Sequence, residues 1–339
     1  MLALMGFFYV PLNGSDLGRI NLIMHLYTGF SWSEVINEMM TSSTPLAIMY
    51  YKLVGSLGDD RLLPFITAII TYALCFAIMK CCYEKYSLNK NELALVFFIF
   101  MSRGLLMMTI ANIRTMLSLA IISFSVYKIL IESKSLVRHI PFMVVGSLLH
   151  VVGLLTTLLF ILYYFLYGIK KRSIFINIIE LFGIVVLVFA YGYRFIQSAA
   201  EKGQLYIDSA NSGTGFFYIW EMVLSCLSLA ITVYCLIIYR RQKMYALKCN
   251  NYDIDKFKNN DPFIKYIVFI LILDILLFII EFNSGFRLSW HMTIMNIPLI
   301  SLTRSYYKSS QQYNILLIIG LISLFLACAR GDLCSLKFI

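Results

Sequence analysis

Apolar runs of membrane-spanning length recur along the chain with short polar joints between them. A bilayer helix needs about 20 mostly apolar residues. The stretches 62–79, 92–109, 113–131, 151–168, 174–193, 215–239, 263–281, 291–303 and 313–328 approach or meet that length. Three further apolar pieces, 1–12, 45–57 and 140–149, are too short for ordinary spans. The pattern predicts an all-α polytopic integral membrane protein with about 9 to 11 transmembrane helices plus short re-entrant segments. No long linker, internal repeat or low-complexity tract divides it, so residues 1–339 read as a single integral membrane domain.

Basic residues cluster in alternate joints: Lys80, Lys85 and Lys90; Lys134 and Arg138; the run 170–172; 240–243 with Lys248, Lys256 and Lys258; Arg304 and Lys308. Placing all of them inside is self-consistent. That leaves outer loops at about 13–61, 194–214 and 282–290, with a basic inner loop at about 240–262. The stretch 139–172 begins and ends with positive charge, so it must go in and come back, which predicts two closely paired or half-depth helices turning near His150. By the same logic 45–57 is re-entrant or lies on the surface.

Composition agrees with this solvent. The chain is 60% hydrophobic and 14% charged with mean hydropathy +0.80, against a globular charged share of about 25%. The net charge of +10 belongs to membrane anchoring, where anionic lipid attracts inner lysine and arginine, and implies no nucleic acid. Membrane lipids are the expected surroundings. The eight cysteines show no C-x-x-C spacing and predict neither a disulfide framework nor a zinc site. The first residues lack a basic n-region and a cleavage site, and read as a short first span rather than a signal peptide.

On this topology Asp16, Arg19, Arg103, Arg114, His150, Arg287 and His291 fall on the outer side, although they come from all along the chain. Guanidinium presents a planar fork of donors to phosphate oxygens, so several arginines at one depth favour a diphosphate over a lone carboxylate. Histidine accepts a proton from a hydroxyl near neutral pH. Each residue has a plainer alternative. A lone outer arginine snorkels to head groups, and a lone histidine in an apolar stretch is more often a packing residue. Asn112, just before Arg114, favours an organised polar pocket there. Asp274 is a midspan carboxylate whose expected role is a structural hydrogen bond or ion pair. Asp59 and Asp60 read as a solvated turn, and no metal or cofactor is implied.

The outer Asp16 and Arg19, the helix pattern Asn112-Ile113-Arg114 with Leu117 and Ala120, His150 in a re-entrant segment, and Arg287-Leu288 before a late helix form a recognisable order. It resembles the EpsG-like, Wzy-type bacterial polysaccharide polymerases over about residues 13–300. The chain departs from that pattern at its short first span, at Arg19 and Asn21, and at Trp290 where a tyrosine is common. The resemblance implies a GT-C-like membrane glycosyltransferase in the bacterial inner membrane with a periplasmic active site. Its donor and acceptor would be undecaprenyl-diphosphate-linked oligosaccharides, for O-antigen or related surface polysaccharide, with a chain-length regulator as a further candidate partner. It implies His150, Arg114, Arg287 and Asp16 as catalytic, and Arg103, Arg19, His291, Asn112 and Trp290 as diphosphate or sugar contacts. The alternatives are a lipid-linked oligosaccharide flippase or exporter, and a membrane acyltransferase that modifies surface polysaccharide.

Overall fold

The computed structural model describes residues 2–10, 16–102, 109–110, 112–168, 215–248, 254–280 and 282–329. The regular elements among them are thirteen helices. The first four are α1 (Leu2–Phe8), α2 (Asp16–Gly29), α3 (Trp32–Thr41) and α4 (Pro45–Gly55). Then follow α5 (Leu62–Lys85), α6 (Lys90–Ser102), α7 (Ile113–Leu130), α8 (Leu136–Leu149) and α9 (Val151–Gly168). The last four are α10 (Gly215–Lys248), α11 (Ile254–Ile280), α12 (Phe282–Tyr306) and α13 (Ser310–Ala329). Among the described residues five stretches are long and apolar enough to cross a membrane: α5, α7, Met222–Lys248 of α10, Phe257–Ile280 of α11 and Ser310–Cys328 of α13. The protein is a multi-pass membrane protein. The expected span 174–193 and loop 194–214 lie outside the described residues, as does the basic run 170–172.

The structure is organised around α12. Every residue of it from Leu288 to Arg304 is buried, yet the stretch carries Ser289, His291, Thr293, Asn296 and Arg304. Lipid offers such groups no partner, so they bond to neighbouring helices instead. Ser289 pairs with Ser225 at 3.0 Å, Thr293 with Ser228 at 3.0 Å, and Asn296 accepts from Thr232 at 2.8 Å. Both sets of positions ascend together at helical spacing, so α10 and α12 run parallel with one polar face against the other. His291 is held between Ser123 of α7 and Tyr266 of α11, each at 2.8 Å. Interhelical hydrogen bonds of this kind contribute about 0.6 kcal/mol each.

Two ends of the bundle differ in chemistry. At one, the joints rich in lysine and arginine gather. Lys85 donates to the Ile131 carbonyl, Lys243 pairs with Asp261 at 2.6 Å, and Lys128 with Glu132 at 2.6 Å. Asn260 accepts from Tyr86 and donates to Tyr306, tying α5, α11 and α12 together there. The joints expected on one side of the membrane do share one end of the molecule, as far as they are described. Arg304, read from sequence as an anchor in this loop, is instead buried beside Glu92, 3.1 Å away. Glu92 also closes the N-terminal capping box of α6 with Asn89, at 2.9 Å in both directions.

At the opposite end, the region 13–61 expected as an outer loop is largely helical. Helices α2, α3 and α4 form a cap there. Local signals account for two of them: Ser31 and Glu34 make a reciprocal capping box on α3, and Pro45 opens α4. Lys52 of α4 donates to the carbonyls of Thr28 and Phe30 at 2.9 and 2.7 Å, satisfying the end of α2. The expected loop 282–290 is likewise the start of α12. Within it Ser289 meets Ser225 of α10 rather than water.

The stretch predicted to go in and come back does so as far as Gly168. Helix α8 rises from the basic end, the chain breaks at His150 in an extended conformation, and α9 returns until Tyr163 donates to the Pro262 carbonyl at the basic end.

The Glu92–Arg304 pair gives a direct test. Removing one member of a buried ion pair leaves the other uncompensated and costs roughly 3–5 kcal/mol. Glu92→Ala should therefore lower the unfolding temperature in detergent sharply. An unchanged melting curve would show that the pair does not hold α6 to α12.

Candidate functional site

The cap end brings together residues far apart in sequence. Arg114 occupies the first turn of α7, after Asn112 at the N-cap, whose side chain makes no capping hydrogen bond. The backbone N–H groups of that turn and the guanidinium together favour an anion. The guanidinium lies 6.0 Å from the ring centre of Tyr51 on α4. Asp16, in the first turn of α2, is half-buried and accepts from Arg19 at 3.1 Å. Its carboxylate and the Arg114 guanidinium both act on the Tyr51 phenol. Burial raises that phenol above its ordinary value, Arg114 opposes the rise and Asp16 adds to it. Tyr27 of α2 feels Arg114 in the same way, with Glu38 of α3 working against it; burial again raises its phenol most.

His150 joins this group through the residue after Arg114. The Val152 N–H donates to Nδ1 at 3.2 Å, so Nδ1 holds a lone pair and the neutral ring carries its proton on Nε2. Nε2 then donates to Thr115 Oγ1 at 3.3 Å. Both nitrogens are engaged within the fold. The ring is 4% exposed.

Small residues make that arrangement possible. Ser118 of α7 donates to the Gly146 carbonyl at 2.6 Å, and Ser147 of α8 to Thr157 of α9 at 2.9 Å. A Cβ on Gly153 would meet Ser118 Oγ and stand 2.5 Å from the Gly146 carbonyl oxygen; one on Gly146 would stand 2.7 Å from Ile122. Three helices thus cross within backbone distance just below His150.

Other expected site residues are placed elsewhere. His291 is fully buried with both ring nitrogens bonded to Ser123 and Tyr266, in the centre of the bundle rather than in an outer loop. Trp290 is 3% exposed and packs edge-on against Phe286. Arg287 lies half-buried on the first turns of α12. Arg19 is exposed beyond its bond to Asp16. Arg103 lies outside the described residues. Asp59 bonds Arg61 and Asp60 bonds His25, both at 2.8 Å, as members of an exposed turn. Asp274 is fully buried. Among the described residues no group of three or more His, Cys, Asp or Glu side chains is placed to hold a metal ion.

Sequence reasoning passed over Tyr51. Its side chain is 2% exposed, and its hydroxyl has no hydrogen-bond partner, a state that costs roughly 1–3 kcal/mol. Its one sequence signal is the Tyr50-Tyr51 pair inside an apolar piece too short to span.

The crossing at Gly153 predicts that Gly153→Ala forces the α8–α9 pair away from α7. Overpacking of this kind costs about 1–3 kcal/mol. Gly29→Ala, whose Cβ meets nothing within 4 Å, serves as control. Thermal unfolding in detergent should show a drop for the first and none for the second; equal curves would contradict the close crossing.

The EpsG family model matches residues 25–330 of the chain. No curated protein and no solved structure matches it.

Proposed function

The chain belongs to the EpsG family, that of Wzy-like polysaccharide polymerases and glycosyltransferases, and from that premise we propose that it polymerises undecaprenyl-diphosphate-linked repeat units at the periplasmic face of the inner membrane. The observation that carries this reading is Arg114. It stands at a helix N-terminus, over the ring of Tyr51 whose phenol also feels Asp16, at the end opposite the lysine- and arginine-rich joints. That polarity supports an outward-facing site, since basic joints stay inside.

In the proposed reaction a sugar hydroxyl of the acceptor attacks the anomeric carbon of the donor chain. A new carbon–oxygen bond forms there, the bond to the diphosphate oxygen breaks, and the diphosphate leaves with the electron pair. Arg114 and the N-terminal turn of α7 stabilise the charge that develops on the leaving group. The hydroxyl proton needs an acceptor. Asp16 fits this role better than His150, because a carboxylate bonded to Arg19 retains lone pairs while both His150 nitrogens are engaged. His150 then serves to fix Thr115 and the start of α7. Buried His291 takes no part in this scheme. Arg287, at the start of α12, remains a second candidate for the diphosphate.

A flippase needs polar groups along a path between the two faces. The centre of the described bundle is instead filled by α12, whose polar side chains are bonded to its neighbours.

Arg114→Ala should cut chain extension by roughly a hundredfold or more, the scale for losing one donor to a developing oxyanion, while the protein remains folded. The assay is the ladder of products in reconstituted membranes. Near-normal ladders would remove Arg114 from the mechanism. In cells, gene deletion should leave single repeat units; loss of a flippase would leave none, and loss of an acyltransferase would leave full-length chains lacking a substituent.

A further inference from the structure

Two adjacent tyrosines on α4 are treated differently by the fold. The Tyr50 hydroxyl shares a hydrogen bond with Thr67 at 2.8 Å. The Tyr51 hydroxyl is buried with no such bond, and a phenylalanine there would pack the same ring without burying an unmet donor. Two other buried tyrosine hydroxyls have a polar side chain within reach, Thr109 for Tyr72 and Cys82 for Tyr127. Tyr51 differs from them in its neighbours: the Arg114 guanidinium over its ring and the Asp16 carboxylate close enough to act on its phenol. The hydroxyl oxygen is closed to solvent, so a ligand drawn to Arg114 reaches this unused donor by displacing what packs over it.

We propose that the Tyr51 hydroxyl is a binding group for the leaving diphosphate, donating to a phosphate oxygen that Arg114 neutralises. This rests on the reading of the Arg114 pocket as the diphosphate site. The chemistry is complementary: a phenol donates one short bond to an anionic oxygen, and guanidinium supplies charge and further donors to the same group. The carboxylate of Asp16 cannot take over that donor's task, since an ionised carboxylate only accepts. It stays available for the acceptor hydroxyl. The cap thereby divides the two substrates' polar contacts, with Tyr51 and Arg114 on the donor's diphosphate and Asp16 on the attacking sugar.

The test uses the full chain in detergent, inorganic pyrophosphate as probe, and the polymerisation rate as a function of lipid-linked donor. Tyr51→Phe should melt at or above the wild-type temperature without pyrophosphate, because the lost hydroxyl holds nothing in the fold. It should bind pyrophosphate roughly ten- to hundredfold more weakly and lower kcat/KM for the donor by a similar factor, the worth of a hydrogen bond to a charged group. Arg114→Ala should lose pyrophosphate binding altogether. If Tyr51→Phe binds pyrophosphate as the wild type does while Arg114→Ala does not, the assignment of Tyr51 is wrong and the diphosphate site stands. If both variants bind normally, the diphosphate site itself is wrong. Marked destabilisation of Tyr51→Phe without ligand would make the hydroxyl structural and overturn the proposal.

Discussion

A helix carrying Ser289, His291, Thr293, Asn296 and Arg304 cannot face lipid, and the need to enclose it governs how the other helices are arranged. The polar groups on α12 find partners on four neighbouring helices: Ser225, Ser228 and Thr232 on α10, Ser123 on α7, Tyr266 on α11, Glu92 on α6. Hydrophobic burial cannot rank alternative packings inside a bilayer, because lipid tails are as apolar as leucine. Hydrogen-bond matching can. The polar side chains of α12 therefore specify register and neighbour more than they add stability, and the more apolar α13 is left at the periphery with Ile318, Leu321, Ile322 and Phe325 turned outward.

The same constraint explains why the two ends of the bundle differ. At the basic end, charges that penetrate are paired: Arg304 with Glu92, Lys128 with Glu132, Lys243 with Asp261. These contacts fasten helix ends. At the cap end the pairing is looser. Asp16 and Arg19 form an exposed bond, Arg114 lies over an aromatic ring, and the N-terminal turn of α7 has no side-chain cap. Charge that is only partly compensated, next to short helices rather than long spans, suits binding better than bracing.

Much of this was legible in the sequence, and the physical reason for each success or failure differs. The return of the chain at His150 could be read because positive charge at both ends of 139–172 forbids a single crossing. The shared side of the basic joints followed from the same rule. The cap was hidden, because in 13–61 the apolar residues of α2, α3 and α4 serve short helices that lean on one another, and no run reaches spanning length. The placement of 282–290 failed for the opposite reason: the stretch was assigned to water, but it opens α12, which is buried against other helices from Leu288 onward. His291 and Trp290 went with it. Arg304 was misjudged in the same way, since nothing local distinguishes a basic residue that snorkels from one whose partner, Glu92, is more than two hundred positions away.

The placement of His150 bears on what such a histidine is for. A general base must present a lone pair toward the substrate. Here the backbone N–H of Val152 takes the lone pair of Nδ1, and Thr115 receives the proton of Nε2. The ring is therefore built in as a two-ended strut between the break that starts α9 and the first turn of α7. Its rigidity is useful because Thr115 follows Arg114 directly: fixing the backbone at 115 fixes where the guanidinium starts from. The close crossings at Gly146 and Gly153 hold the strut from below. A site that must stabilise charge only as it develops gains from donors that need no reorganisation at that moment. Under the proposed function, the histidine would serve the reaction by holding the arginine still, and proton transfer would fall to the half-buried carboxylate on the cap.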